Sequence, residues 1–404
     1  MASLERRSRA IFARYGASVR RRLAGGREFE LAYLRSGPPS ACPVLVIPGG
    51  PGLSSITPYV RLRALAARRG MDLLMVEHRG VGRSRRDTTG ADLLVSDVTG
   101  VAAADDLAAV LDAEGVERAT VLGSSYGTYL AQLLTVRHPD RVGVLVLDSP
   151  ILDPVSDLAA TREYRRRLLW DGDDFETHAV AARIRALAEI RPVDELAHVV
   201  QVVYEFAGAR TLQALIAAWN EGRLEWLWET LAAAGRGEVE GEGIAFLMEP
   251  DLVSGIAYGE LGYGLPVDGG PLDPQLFFAD AATRMPAYRG TPVDLRRAAS
   301  EYGVPTVVVS GERDLRTPRP VAQRIVQLAP DAVLAPVTDL GHSALDNHPL
   351  LALAVAHAAG SGRAHLIPGR ISGLERLPRR GTSNALGTLL RAAGALAKRR
   401  NTAP

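Results

Sequence analysis

Hydrophobic positions along this chain fall into two rhythms. Between residue 28 and about residue 150, short apolar runs alternate with longer segments whose apolar positions recur every three to four residues. Phe29, Leu31 and Tyr33 alternate with polar or small neighbours, the period of a half-buried strand. Val44–Ile47 is a buried-strand run that ends in the turn-rich Pro48-Gly49-Gly50-Pro51-Gly52, and Met71–Val76 is a second such run. Thr120–Leu122 and Val144–Leu147 are two more. Arg61–Arg69, Val101–Ala113 and Thr128–Arg137 read as the intervening helices, with Asp105 and Asp106 expected on the outer side of the second. Continuous apolar strands separated by helices predict a mostly parallel sheet covered on both faces, an α/β fold.

After Ile151 the pattern changes. Helical periodicity continues in Thr161–Leu169, His178–Ile190 and Thr211–Ala218, but strand-like runs become scarce, and Trp170, Trp219, Trp226 and Trp228 all lie here. The first rhythm resumes with a strand at Pro305–Ser310, a helix from Pro320 to Leu328, a strand at Val333–Val337 and a helix at Leu350–Ala359. The expected organisation is an α/β core over residues 28–150 and 301–360, with a helical cap, or lid, inserted over residues 151–300. Residues 1–27 read as a basic N-terminal extension and residues 361–404 as a basic C-terminal appendage. Within the appendage Leu386, Leu389, Leu390, Ala393 and Leu396 space a short amphipathic helix.

Composition narrows the function. At 404 residues and 47% hydrophobic content the chain can bury a large core. Cys42 is the only cysteine, which excludes an intramolecular disulfide and a cysteine-rich metal site, and no metal or organic cofactor is implied. The first sixteen residues lack a continuous apolar stretch, and no uncharged apolar run approaches the ~18 residues of a membrane span. A cytoplasmic protein is expected, with no oligomeric state implied. Net charges of +7 over residues 1–27 and +8 over residues 361–404 leave −14 on the body of a chain whose total is +1. The acidic body favours cationic substrates over nucleic acid, and the basic ends read as solvated tails.

The chemistry-bearing residues follow the strands. Ser125 lies in Gly123-Ser124-Ser125-Tyr126-Gly127, directly after one predicted strand and before a helix. Glycines two positions either side let strand and helix approach around a strained serine, the arrangement of a nucleophile elbow and hence of an α/β-hydrolase fold. A serine hydroxyl needs a base, and acid and base follow it in this fold in the order Asp or Glu, then His. His342, just after the strand Val333–Val337, is the leading base, with His348 as its competitor. Asp314, after the strand Pro305–Ser310, is the leading acid, with Glu312 as the neighbouring alternative and a turn-capping aspartate as the non-catalytic reading. For the oxyanion hole the expected donors are the backbone N–H groups of Tyr126 and of Gly50.

Three segments carry a resemblance to a family. Pro48-Gly49-Gly50-Pro51-Gly52, Glu77-His78-Arg79-Gly80-Val81-Gly82-Arg83-Ser84 and Gly123-Ser124-Ser125-Tyr126-Gly127-Thr128 resemble the proline iminopeptidase and tripeptidyl-aminopeptidase group of α/β-hydrolases. The resemblance covers roughly residues 28–150 and 300–358, is weak in the cap and is absent from both tails. Pro48 stands where the family's oxyanion loop often begins with His, and Glu77-His78 replaces its Asp-Gln. The resemblance implies Ser125, Asp314 and His342 as a triad, and an aminopeptidase that holds a peptide's free amino group with acidic cap residues. Glu260 is the first candidate for that role, with Glu225 and Glu229 as alternatives beside Trp226 and Trp228. The expected partner is a small peptide or a small-molecule acyl substrate. An esterase, lactonase or small-amide hydrolase with the same triad is the alternative, and a ligand-binding homologue that has lost turnover is the reading from a different class.

Overall fold

The protein is described by a computed structural model covering residues 2–379 and 383–399. Its centre is an eight-stranded sheet with strand order β1-β2-β4-β3-β5-β6-β7-β8, made of β1 (Gly16–Arg22), β2 (Glu28–Ser36), β3 (Val44–Ile47), β4 (Leu73–Val76), β5 (Ala119–Ser124), β6 (Val142–Asp148), β7 (Thr306–Gly311) and β8 (Ala332–Val337). β1 and β2 run antiparallel to their neighbours, and every pairing from β4 to β8 is parallel. Successive side chains of a strand point to opposite faces. Leu45 and Ile47 accordingly join one apolar layer, with Val121 and Leu145, while Val44 and Val46 join the other, with Leu122 and Val146. The first layer is covered by α3 (Gly100–Ala113) and α4 (Tyr126–Arg137), the second by α2 (Val60–Ala67) and by a helix introduced below, Pro349–Ala358.

Two sequence expectations change here. Asp106 is not on the outer side of α3 but buried, because the Arg79 guanidinium from the strand-end motif reaches under the helix and donates to both of its oxygens at 2.7 Å. Asp105 does face outward, where Arg137 and His138 bind it. Residues 16–22, read as part of a charged extension, form the edge strand of the sheet. The Arg20 and Arg21 side chains are answered by Glu30 on β2 and Asp106 on α3. Upstream lies α1 (Ala2–Tyr15), whose Phe12 ring packs under Arg83.

Between β6 and β7 the described chain is mainly helical. It contains α5 (Pro154–Arg166), α6 (His178–Ala188), α7 (Val193–Ala207), α8 (Ala209–Asn220) and α9 (Glu225–Ala233), then the short α10 (Arg236–Val239), α11 (Ser254–Ala257), α12 (Ala279–Ala282) and α13 (Leu295–Ala299). α6 to α9 close around an apolar centre of their own, where the Trp219 and Trp228 rings meet edge to face with centroids 5.1 Å apart.

After the insertion come α14 (Arg319–Leu328), α15 (Ala344–Asn347), α16 (Pro349–Ala358), α17 (Ile367–Leu374) and α18 (Ser383–Arg399). The helical run Pro349–Leu374 is long and apolar enough by composition to cross a membrane, which the sequence reading did not anticipate; α16 buries its apolar side chains against the sheet. The C-terminal segment is docked rather than appended. α17 packs on β8, and α18 lays Leu386, Leu390 and Ala393 against α7 and α8, joining the apolar centre of the insertion while Leu389 and Leu396 stay exposed.

Candidate active site

Four consecutive strands, β5 to β8, deliver their C-terminal ends to one place. β5 runs into Ser125, which adopts φ 53 and ψ −121, a conformation costly for a residue with a Cβ and held by what surrounds it. A Cβ on Gly123 would collide with the Gly127 backbone, and one on Gly127 would collide with the Ile47 and Pro48 carbonyls. The two flanking glycines are therefore required by the close approach of β5, α4 and the loop after β3.

His342 follows β8. Its Nε2 lies 2.7 Å from Ser125 Oγ, and its Nδ1 lies 3.1 and 3.0 Å from the two Asp314 carboxylate oxygens. The carboxylate can only accept from Nδ1–H, so the Nε2 lone pair is left facing the serine hydroxyl. Asp314, at the end of β7, is fully buried in polar contacts. Its oxygens accept the N–H groups of Arg316 and Thr317 at 2.9 and 3.0 Å and the Thr317 hydroxyl at 3.1 Å. Burial opposes the charge on His342, but the Asp314 carboxylate outweighs it and raises the imidazole pKa above its ordinary value. Burial likewise opposes the charge on Asp314, and the imidazole with the hydrogen bonds around it holds this carboxyl below the ordinary range.

The competing residues point elsewhere. His348 is buried with Nε2 3.2 Å from the Glu375 carbonyl, and Glu312 accepts the Asp339 N–H at 3.2 Å.

β6 ends in Asp148, which sequence reasoning passed over. Its backbone carbonyl accepts the Ser125 N–H at 2.8 Å, and its carboxylate accepts the N–H groups of Ala344 and Leu345 and the Ser124 hydroxyl at 2.8–2.9 Å. Ser343 Oγ lies 2.8 Å from Ser124 Oγ and donates to Asp346 at 2.7 Å. This buried network clamps the loop carrying His342 to the elbow carrying Ser125. The sequence signal was an aspartate ending an apolar strand, where a charged residue must find partners.

The loop after β3 closes over the serine, with the position of a Gly49 Cβ 3.2 Å from Ser125 Cβ. Gly50 has φ 125, a backbone region that glycine alone adopts cheaply. Among the described residues, neither the Gly50 nor the Tyr126 N–H meets a backbone acceptor. The Tyr126 hydroxyl is tied to His78 Nε2 at 2.8 Å. Burial depresses the His78 pKa to about 4, which favours the neutral ring; its Nδ1 faces the Arg79 carbonyl and donates to it, which leaves Nε2 to accept from Tyr126. Glu77 anchors the same loop from below, accepting the Ser55 N–H at 2.6 Å and the Ser54 hydroxyl at 3.1 Å, and burial raises its pKa to about 7.

The insertion reaches this loop from above. The Tyr263 hydroxyl donates to the Gly50 carbonyl at 3.4 Å, and the Glu249 N–H donates to the Gly52 carbonyl at 2.9 Å. The acidic residues expected to hold an amino group are placed otherwise. Glu260 is buried with its two oxygens already engaged, by the Gly100 N–H at 3.1 Å and the Tyr129 hydroxyl at 2.6 Å. This corrects the expectation of an open carboxylate there, because Glu260 is spent on the N-terminus of α3. Glu225 is paired with Arg191 at 2.7 Å, Glu229 is exposed, and Trp226 is 63% exposed to solvent.

Comparison with known proteins agrees with this architecture. The family model described as alpha/beta hydrolase fold matches residues 43–188, from the start of β3 through the nucleophile elbow and into the insertion. The chain has the α/β-hydrolase fold. It is 25% identical over 337 residues to the probable proline iminopeptidase of Leptolyngbya boryana, a match that covers 80% of this chain and 87% of that protein. It is 32% identical over 114 residues to the putative carbamate hydrolase RutD of Caulobacter sp. (strain K31), covering 28% of this chain and spanning only 40% of the length of that relative. A solved proline iminopeptidase of Mycobacterium smegmatis superposes with a TM-score of 0.47 at 19% identity, covering 88% of this chain and 99% of that one.

Proposed function

We propose that this α/β-hydrolase is a serine hydrolase working through an acyl-enzyme, with Ser125 as nucleophile, His342 as base and Asp314 as the acid that orients it. The observation that carries the proposal is the unbroken relay from Asp314 through His342 to Ser125 Oγ, with every separation at 3.1 Å or less. In the first half-reaction Ser125 Oγ attacks the substrate carbonyl while His342 Nε2 takes its proton. The N–H groups of Gly50 and Tyr126 stabilise the oxyanion. The imidazolium then protonates the leaving group, and water enters by the same steps in reverse to release the acid.

Within that class we read the enzyme as an aminopeptidase that removes N-terminal residues from peptides. The support is that the proline iminopeptidase relative is matched over most of both chains, while the carbamate hydrolase relative is matched over a minority of each. The engaged state of Glu260 favours a second reading, a hydrolase of small esters or amides, because the amino-group partner expected there is already occupied.

Labelling of Ser125 by a fluorophosphonate, with loss of label in Ser125→Ala, tests the nucleophile. Turnover of Pro- and Ala-anilides against p-nitrophenyl esters tests the acyl group. Hydrolysis of esters alone would remove the aminopeptidase reading and leave the serine hydrolase standing.

A further inference from the structure

The loop that carries Asp314 also carries Arg316, which the acyl-transfer steps leave unused. The Arg316 N–H donates to Asp314 Oδ1 at 2.9 Å, so its side chain departs two residues from the group that orients His342. That side chain is 46% exposed, although Leu315 and Thr317 on either side are buried.

Among the described residues the one hydrogen bond of this side chain is unusual for an ion pair. Nε donates to Glu205 Oε2 at 3.2 Å, and the other Glu205 oxygen accepts the Leu315 N–H at 3.0 Å. Glu205 comes from α7 of the insertion, and its side chain is 2% exposed. A guanidinium that serves only to neutralise a buried carboxylate offers two parallel N–H groups to its two oxygens. Here only Nε is used, and among the described residues no protein acceptor meets either Nη. Glu205 thus fixes the direction of the guanidinium and leaves its four outer N–H donors open.

The side chain stands where the loop after β7 meets the insertion, with its backbone N–H on Asp314 and its Nε on Glu205 of α7. On the core side the Arg316 charge bears on His342 and Asp314. On the insertion side it bears on Tyr263, which hangs over the Gly50 carbonyl, and on Glu238 and His198. Among the described residues no ion pair joins Arg316 to Glu238.

We propose that Arg316 is a substrate-recognition residue, and that the molecule hydrolysed at Ser125 carries a carboxylate which this guanidinium binds through its Nη donors. This rests on the serine hydrolase reading above and names the substrate class for that same site. The carboxylate can belong to the acyl part, as in a dicarboxylic monoester, or to the leaving part, as in a short peptide with a free C-terminus.

Two substrate pairs on the full chain separate these sources. The first compares p-nitrophenyl glutarate monoester with p-nitrophenyl valerate, and the second compares Pro-Ala with Pro-Ala amide. The expected result is a wild-type preference for the anionic member of one pair that falls about ten-fold in kcat/KM in Arg316→Gln, mainly through KM, and is partly restored in Arg316→Lys. The pair that responds names the part bearing the carboxylate. An anionic-to-neutral ratio that is the same in wild type and Arg316→Gln for both pairs overturns the proposal. Because Arg316→Gln leaves Glu205 buried without a counter-charge, the same ratios are measured in Glu205→Gln/Arg316→Gln. A preference that survives in this double variant also overturns it. Fluorophosphonate labelling keeps the two readings apart. Labelled wild-type protein with no anionic preference removes only the Arg316 proposal, whereas failure of wild-type Ser125 to label removes the hydrolase reading beneath it.

Discussion

The loops at the ends of β5 to β8 and the helical insertion above them are held by opposite means. In the loops, geometry comes from buried polar groups with short, directed contacts: Asp148 to Ser124, Ala344 and Leu345, and Asp314 to Thr317 and His342. In the insertion, α6 to α9 are held mainly by an apolar interior around Trp219 and Trp228, with polar ties such as Trp228 Nε1 to Glu195 at 2.7 Å placed toward the outside. Directed hydrogen bonds in a low-dielectric interior specify position sharply, whereas apolar packing stabilises with less directional demand. The contrast leads to a general expectation: damage to the loops should register in catalytic rate, and damage to the insertion in stability.

The largest effect tests the first half. Ser125→Ala should lower hydrolysis by at least about ten-thousand-fold with an unchanged melting transition, since the alanine removes the proposed nucleophile and no packing group. An active, folded Ser125→Ala protein would break the comparison at its root.

The second half is tested by Trp219→Ala. This side chain is 2% exposed and in edge contact with Trp228, so its loss should destabilise the protein by about 3–5 kcal/mol, read from denaturant unfolding. Ester turnover by the protein that remains folded should fall far less than in Ser125→Ala. A loss of rate as large as that of the nucleophile variant would show that the insertion positions the reacting groups as tightly as the loops do.

Asp148→Asn gives a smaller and mixed effect. The amide replaces one acceptor oxygen by a donor that must face the N–H of Ala344 or Leu345, at a cost of about 1–3 kcal/mol. Because the same group clamps the His342 loop to the Ser125 elbow, kcat should fall together with stability. A change in stability alone would demote Asp148 to a core residue.

The same contrast explains what was legible in the sequence. That Ser125, Asp314 and His342 would come together was legible because each lies in a short local signature: a glycine-flanked serine, and an acid and a histidine just after apolar strands. The parallel sheet was legible from continuous apolar runs, for which little but burial on two faces is a sufficient cause. Asp148, Glu205 and Arg316 were not legible, since what makes them important is a partner more than a hundred residues away. β1 was misread for a related reason: Gly16–Arg22 has few apolar residues, and its arginines are matched by acids on β2 and α3 that only the folded sheet brings near. Glu260 shows the converse error. An acidic residue in an aromatic, glycine-rich segment reads as a ligand-binding group, but the N-terminus of α3 and the Tyr129 hydroxyl had already claimed it.

The finest test lies in pH. In its proposed role His342 must be neutral to accept the Ser125 proton, and its pKa is raised above the usual 6.5 by the Asp314 charge, against the opposing effect of burial. The rate of fluorophosphonate labelling should therefore fall with a single-proton slope as pH drops through a value above 6.5. The contribution of the raised His342 pKa to stability has the opposite trend. With the folded pKa above the unfolded one, it is fully present below the unfolded value and is lost as pH rises through the folded value. In Asp314→Asn burial remains but the favourable charge is gone, so the acid limb of the residual labelling should move to lower pH than in the wild type. A limb that stays in place in Asp314→Asn would mean that another group governs the proton on His342, and the directed polar geometry of the loops would then not be what sets the reactivity of Ser125.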